Sequence, residues 1–166
     1  MSHLEELLVE YYEWLGHVVV CNRHVGKRAR GGYEMELDVV AYDPRANYLL
    51  HIEPSLDAQS WAKREARFIK KFAAGRKYIL SDLFDWLPST TPLKQLAILI
   101  SAPPTRTLAG TEVRTVDEFI GEIRRQVFSC GMAAKAAIPE QYPLLRTIQL
   151  VVCGYYRVVS SDPTSD

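Results

Sequence analysis

Residues 33–53 read YEMELDVVAYDPRANYLLHIE and predict a β-hairpin. The first part, 33–42, alternates polar and apolar residues over most of its length, as a half-buried strand does. The segment 48–53 is short and mostly apolar, which is typical of a second strand. Between them, 44–47 begins with a proline and ends with an asparagine, and both residues favour turns. The stretch therefore predicts two neighbouring antiparallel strands.

The length of the turn fixes which residues face each other across this hairpin. With a four-residue loop, paired residue numbers add up to 91, so Asp38 lies opposite Glu53 and Val40 opposite His51. Directly opposed Cβ atoms are about 4.5–5.5 Å apart. Two carboxylates at that separation destabilise a sheet unless one is protonated or a cation lies between them. We therefore predict that Asp38 and Glu53 form a functional site.

An amphipathic helix is predicted ahead of the hairpin, over 4–15, because its apolar residues recur every three or four positions up to Gly16. Its Glu5 lies at the edge of the apolar arc. The β-branched segment 17–23 predicts a strand, and the basic, glycine-rich segment 26–32 predicts a turn. This strand would lead directly into the hairpin.

A long helix is predicted after the hairpin, over 56–78, with Asp57 as its N-cap. The apolar stripe predicted to be buried consists of Trp61, Ala62, Ile69, Phe72 and Ala73. The other face of this helix is strongly basic. We expect that face to point to solvent or to an anionic partner.

The rest of the chain predicts an apolar strand over 95–101, a loop, and a helix over 115–130 opened by a capping box of Thr115 and Glu118. The segment 142–154 is read as a final helix, with a strand as the alternative. The order α-β-β-β-α-β-α-α predicts one α/β domain with a mixed central sheet and helices on both faces. This domain would span residues 1–159, followed by a loose tail over 160–166.

Composition excludes several classes of protein. The chain has 166 residues, of which 48% are hydrophobic, and this disfavours a disordered or coiled-coil protein. Its three cysteines are far apart, which disfavours a disulfide framework or a zinc cluster. The start lacks the pattern of a signal peptide, and no apolar run is long enough for a membrane span. We therefore expect a cytoplasmic protein without a membrane partner.

The formal net charge of zero is a cancellation between segments. Residues 1–20 carry −4 and 31–57 carry −5, whereas 21–30 carry +4 and 58–77 carry +6. Basic segments beside paired acids suggest contacts with a phosphate backbone. The residues predicted to bind nucleic acid are Lys27, Arg28, Arg30, Arg67, Lys70 and Lys71. Paired carboxylates can also hold Mg²⁺ or Mn²⁺, which neutralises a phosphate and activates water.

These features together resemble the PD-(D/E)XK nuclease superfamily. The resemblance covers about residues 1–80: a helix with an acid, Gly31-Gly32, then Glu36-Leu-Asp38-Val-Val and Leu50-His-Ile-Glu53, and a basic helix. It lies near archaeal Holliday junction resolvases and restriction-endonuclease-like proteins. The resemblance implies a restriction-endonuclease-like three-layer α/β/α fold. It also implies a Mg²⁺ or Mn²⁺ ion held by Asp38 and Glu53 and completed by Glu5, and, by analogy alone, a homodimer.

The sequence departs from the superfamily at its third element, Glu-x-Lys, where this chain has Glu53-Pro54-Ser55. A hydroxyl cannot replace the lysine, which helps to activate the attacking water and offsets charge in the transition state. In some lineages the basic residue lies on the following helix, and Lys63 is the nearest candidate here. We therefore predict a metal-dependent endonuclease acting on DNA, with catalytic Asp38, Glu53 and Lys63.

Two other functions stay open on the sequence alone. One is a catalytically inactive nuclease-fold module that binds nucleic acid, which Ser55 suggests. The other is an interaction domain that binds no nucleic acid.

Overall fold

A computed structural model of the chain describes residues 1–155, and the predicted tail at 160–166 lies outside the described residues. The chain is an α/β protein in which helices flank a six-stranded mixed sheet, compatible with a three-layer α/β/α fold. The α/β class and the mixed sheet are thereby confirmed. The helices are α1 His3–Trp14, α2 Trp61–Tyr78, α3 Val116–Cys130, α4 Ala133–Ala136 and α5 Pro143–Val152. The strands are β1 Val18–Lys27, β2 Tyr33–Asp43, β3 Tyr48–Ser55, β4 Leu93–Leu99, β5 Thr107–Leu108 and β6 Thr111–Thr115.

The sheet has the strand order β1-β2-β3-β4-β6-β5. The first three strands form an antiparallel meander, and β4 lies parallel to β3. Two parallel neighbours need a long crossover connection, which α2 and the π-helical turn Ile79–Leu83 supply. As a result, α2 lies over the strands that carry the predicted acids.

The register of the hairpin is confirmed. The turn occupies 44–47, and β2 pairs with β3 from Asp43–Tyr48 to Val39–Ile52, with Val40 opposite His51. Pairing ends one residue short of Asp38 and Glu53. Pro54 follows immediately and has no N–H group for a ladder bond. The backbone N–H of Asp38 donates instead to Oε1 of Glu53, at 3.2 Å.

Helix α2 differs from its prediction in its start and in its buried face. It begins at Trp61 after Ser60, so Asp57 is not its N-cap. Its buried residues are Arg64, Phe68, Phe72, Ala74 and Gly75, whereas the predicted stripe members Trp61 and Ile69 are 40% and 51% exposed. Phe68 and Phe72 lie four residues apart and pack into a core cluster with Ala97 and Leu99 of β4. This contact rotates the helix relative to the predicted stripe.

Strands β5 and β6 form a short hairpin where the sequence predicts a loop. Its two connecting residues, Ala109 and Gly110, both have positive φ, 53° and 73°. Two-residue hairpin turns need this conformation, which asparagine or glycine adopts more readily than alanine. Two other predictions are confirmed: α5 is a helix, and Thr115 and Glu118 form the capping box of α3.

The chain clusters into two compact units, Met1–Ile120 and a second that begins at Gly121. The boundary falls inside α3, and the single domain over 1–159 stays a prediction. All the residues of the candidate site belong to the first unit. Within residues 1–155, no helix is both long enough and apolar enough to cross a membrane.

Candidate active site

Two carboxylates and one lysine meet where β2 and β3 stop pairing. Asp38 extends from β2, Glu53 from β3 and Lys71 from α2. The ammonium Nζ of Lys71 lies 2.5 Å from Oδ1 of Asp38 and also donates to Oε2 of Glu53. The Glu53 side chain is 1% exposed, and the side chains of Lys71 and Asp38 are 17% and 18% exposed. The predicted juxtaposition of Asp38 and Glu53 is therefore present, with a cation between the acids.

Helix α2 brings Lys71 to this point through the packing of its neighbours. Phe68 and Phe72 anchor the helix in the core, and their rings are 5.5 Å apart. Lys71 is three residues after Phe68 and four before Gly75, both buried, so its side chain leaves the helix close to the buried face. A lysine there covers apolar surface with its stem and brings its charged end to the carboxylates.

The pKa values of Asp38 and Glu53 are both raised above those of free carboxyl groups. Burial, together with the hydrogen bond and charge of Glu53, raises the pKa of Asp38 from 3.8 to about 7 despite Lys71. Burial also raises the pKa of Glu53, although the Asp38 and Lys71 contacts oppose the shift. For Lys71, burial lowers the pKa but the two carboxylates outweigh it, so the net shift is upward. A second cation would relieve this excess of negative charge.

Behind Glu53 lies a polar chain formed by the buried His51 and the half-buried Gln95. Nε2 of His51 is 2.8 Å from Oε1 of Glu53, and Nδ1 of His51 is 3.0 Å from the amide nitrogen of Gln95. Burial and the nearby Lys71 charge lower the pKa of His51 to about 3, so the ring is neutral. His51 is thus a hydrogen-bonded strand residue, as such a histidine most often is.

In front of the acids, a cleft of about 210 Å³ is lined by Asp38, Glu53, Pro54, Ser55, Arg67, Phe68 and Lys71. Ser55 occupies the third position of the motif. Its hydroxyl accepts from Arg67 at 2.7 Å and donates to Asp57. Arg67 also donates to Asp57 at 2.6 Å. The guanidinium of Arg67 is therefore anchored on the wall of the cleft.

A second and larger groove, of about 450 Å³, is lined by Arg28, Glu34, Met35, Lys70, Ala73, Ala74 and Lys77. The structure thereby brings together Arg28 and Lys70, two of the residues predicted to bind nucleic acid. Lys77 lies 3.6 Å from Glu34, whereas Lys70 is exposed at the neighbouring position to Lys71. Lys27 and Arg30 are exposed at the end of β1 and in the following turn.

Two predicted site residues are not at the acids. Lys63 is exposed and makes no ion pair among the described residues; Lys71, eight residues or about 12 Å further along the helix, contacts both acids. Glu5 caps α1 instead, because its carboxylate accepts from Ser2 N at 3.0 Å and from Ser2 Oγ at 2.8 Å. A signal for Lys71 exists in the sequence: it lies three residues after Phe68 and four before Gly75, on the face that packs.

Among residues 1–155, no three histidine, cysteine or acidic side chains are grouped as a metal site. The candidate ligand set is therefore the pair Asp38 and Glu53. Mg²⁺ retains several waters and is often bound through only one or two carboxylates, so this pair fits such an ion. Burial raises the pKa of both acids, and a bound cation would stabilise their ionised forms.

Comparison of the chain with protein-family models, with curated proteins and with solved structures found no significant match.

Proposed function

We propose that this protein is a metal-dependent endonuclease of the PD-(D/E)XK type that hydrolyses DNA phosphodiester bonds. The observation that carries the proposal is the ammonium of Lys71 between Asp38 and Glu53, at the wall of an open cleft. Aspartate, glutamate and lysine are the three residue types of the superfamily motif. The sequence lacks the lysine at Ser55, and Lys71 supplies one from the following helix.

The topology supports the finer fold assignment, a restriction-endonuclease-like fold. The resemblance predicts the acids on two successive strands, followed by a helix that covers them. The chain has this order, with Asp38 on β2, Glu53 on β3 and the basic α2 crossing to the parallel strand β4. Asp38, Glu53 and Lys71 can meet only if the hairpin has this register and α2 crosses over it.

Each residue has a distinct part in the proposed reaction. Asp38 and Glu53 would hold Mg²⁺ or Mn²⁺, which when bound neutralises the phosphate and activates water. In the hydrolysis, the water oxygen bonds to phosphorus while the bond to the leaving oxygen breaks, and a proton moves from the water to the leaving oxygen. Lys71 stabilises the negative charge that develops on the phosphate. Arg67 faces the same cleft and can donate to a phosphate oxygen.

The larger groove supports a nucleic-acid substrate. Arg28 and Lys70 border it, and Lys70 is adjacent in sequence to Lys71. Exposed cations at this position would bind phosphates that neighbour the scissile one, with an affinity that falls as salt rises. Lys27 and Arg30 extend the same basic surface along β1 and its turn.

The test incubates the purified protein with branched, duplex and single-stranded DNA, in the presence of Mg²⁺ or Mn²⁺. We expect cleavage that Asp38→Ala abolishes and that Glu36→Ala, an exposed acid on the same strand, leaves unchanged. We also expect that Ser55→Lys brings no gain, because Lys71 already supplies the cation. Salt-dependent DNA binding without hydrolysis would instead support the inactive binding module, and a strong gain in Ser55→Lys would confirm its missing lysine.

A further inference from the structure

A polar chain that starts at the buried His51, behind Glu53, takes no direct part in the proposed reaction. His51 is 0% exposed, and its Nε2 lies 2.8 Å from Oε1 of Glu53. Its Nδ1 lies 3.0 Å from Nε2 of Gln95. Gln95 in turn donates to the carbonyl of Phe72 at 2.9 Å and accepts from Arg76 at 2.6 Å. The chain therefore links Glu53 to two points on α2.

The partners of Gln95 fix the orientation of its amide. A guanidinium has only donors, so the atom of Gln95 that faces Arg76 is the oxygen. A backbone carbonyl only accepts, so the atom that faces Phe72 is the nitrogen. That nitrogen donates to Nδ1 of His51, which must then carry no proton. The ring proton is consequently on Nε2, where it is donated to Glu53.

Helix α2 leaves room for this ring at Gly75. A Cβ atom there would lie 2.3 Å from Nδ1 and 2.6 Å from Cε1 of His51, and 3.0 Å from Nε2 of Gln95. Glycine is a poor residue for a helix interior, and Gly75 has three more residues of α2 after it. The close approach of the His51 imidazole explains why glycine occupies this position.

The two oxygens of Glu53 are thereby separated in role. Oε1 accepts from His51 and from the backbone N–H of Asp38, at 2.8 Å and 3.2 Å. Oε2 contacts Lys71 in the cleft. We propose that His51 is a positioning residue, which holds Oε1 from behind so that Glu53 presents Oε2 alone to a bound divalent cation. This inference deepens the proposed function and rests on it for the identity of the ligand.

The first test is spectroscopic and needs no metal. In ¹⁵N-labelled protein without added cation, we expect His51 to show a protonated Nε2 and a bare Nδ1. Gln95→Met keeps the ring and removes the donor to Nδ1 but leaves Glu53 as the acceptor of the Nε2 proton, so we expect the same tautomer to predominate. A proton on Nδ1 in the wild-type protein would overturn the inference, because Nε2 would then have no proton to donate to Glu53.

The second test separates hydrogen bonding from ring shape, by calorimetric titration of Mn²⁺. His51→Gln keeps an N–H donor but not the ring, whereas His51→Phe keeps the ring shape without a donor. We expect His51→Phe to weaken Mn²⁺ binding by about 10- to 100-fold, and His51→Gln to retain more of the affinity. The reverse order would mean that His51 only fills space, and would contradict the proposal.

An exposed histidine beside an exposed acid provides the matched control. His24 is an exposed histidine 3.3 Å from Glu36, and we expect His24→Phe to leave Mn²⁺ affinity unchanged. If His51→Phe does not fold, Gln95→Met takes its place, with a smaller loss of affinity expected. A wild-type protein that binds no Mn²⁺ would overturn the proposed function, while the metal-free spectra of His51 still decide the position of its proton.

Discussion

Two charged clusters lie one turn apart on α2, and their carboxylates respond in opposite ways. Around Lys71, two acids share one cation, and the pKa of Asp38 rises to about 7. Around Asp57, one acid is shared by Arg64 and Arg67, and its pKa falls below the ordinary value of 3.8, because the Ser55 and Arg67 hydrogen bonds outweigh burial. The second cluster satisfies its acid and secures the start of α2. The first leaves two acids with one cation, and the proposed divalent cation would balance their remaining negative charge.

The largest effect that separates the two clusters is on cleavage. On the proposed mechanism, Lys71→Met should lower the cleavage rate by about 10²- to 10³-fold, since it removes the side-chain cation that stabilises charge on the phosphate. Arg64→Met removes a cation from the other cluster and should change the rate by no more than a few-fold. Single-turnover cleavage of a labelled duplex or branched DNA measures both. Equal losses in the two variants would mean that the clusters act as one unit.

The next effect is on stability and concerns the support behind the first cluster. Gly75→Ala introduces a Cβ at 2.3 Å from His51, and we expect a loss of roughly 1–3 kcal/mol in the free energy of unfolding. Gly121→Ala in α3 is the matched change, because its Cβ would be 3.7 Å from the nearest atom. That variant should gain up to about 1 kcal/mol from helix propensity. Denaturant unfolding compares them, and a tolerated Gly75→Ala would show that His51 can move.

The two aspartates should also differ in how pH changes stability. Because folding raises the pKa of Asp38 from 3.8 to about 7, the stability present below 3.8 is lost as pH rises through about 7. For Asp57 the folded pKa is lowered, so its contribution is present above 3.8 and lost only in stronger acid. At about pH 8 we expect Asp38→Asn to stabilise the fold by about 1–2 kcal/mol. Asp57→Asn should destabilise it by about 1 kcal/mol.

Thermal unfolding from about pH 4 to about pH 8 tests this difference. His51, whose pKa folding lowers to about 3, adds stability as pH rises in both proteins, so the readout is the difference between the two curves. Asp38→Asn should gain stability relative to the wild type as pH rises from about 4 to about 7. If both substitutions destabilise at high pH, Asp38 is a structural ion-pair partner like Asp57.

The smallest effect concerns the basic groove beside the site. We expect Lys70→Gln to weaken DNA binding a few-fold and to reduce the slope of log affinity against log salt by about one. Lys135→Gln in α4 makes the same charge change at a residue outside the groove and should alter neither quantity. Binding measured across salt concentrations compares the two variants. An effect of equal size in both would show that only the overall charge of the protein matters.

The hairpin and the acid pair could be predicted because local rules determine them. The length of the turn at 44–47 set the register, and the register brought Asp38 and Glu53 together. The sequence predicts Lys71 as a nucleic-acid-binding residue and not as a partner of the acids. The reason is that the predicted apolar stripe places Lys71 on the outward face of α2. Tertiary packing decided that face: Phe68 and Phe72 pack with β4, which is distant in sequence.

The predictions for Glu5 and for Asp57 as the N-cap of α2 are wrong for a common reason. Each of these side chains has a second set of possible hydrogen-bond partners. Glu5 has the spacing expected of a metal ligand, but it is also three residues after Ser2 and forms a capping box with it. Asp57 precedes a helix as an N-cap would, but Arg64 and Arg67 bind it. Sequence spacing gives the candidates, and it does not rank a local hydrogen bond against a distant one.

Pro54 has a consequence for anyone who would transplant this site into another scaffold. Pairing of β2 and β3 ends just before Asp38 and Glu53, and a proline in the next position of β3 cannot extend the ladder. The end of backbone pairing between β2 and β3 thus leaves the space that the Lys71 side chain occupies. Grafting the three charged side chains onto an uninterrupted strand pair would reproduce the motif and lose the opening. A transplanted site therefore needs the unpaired ends of β2 and β3, and Pro54 that prevents further pairing, as well as the three charged side chains.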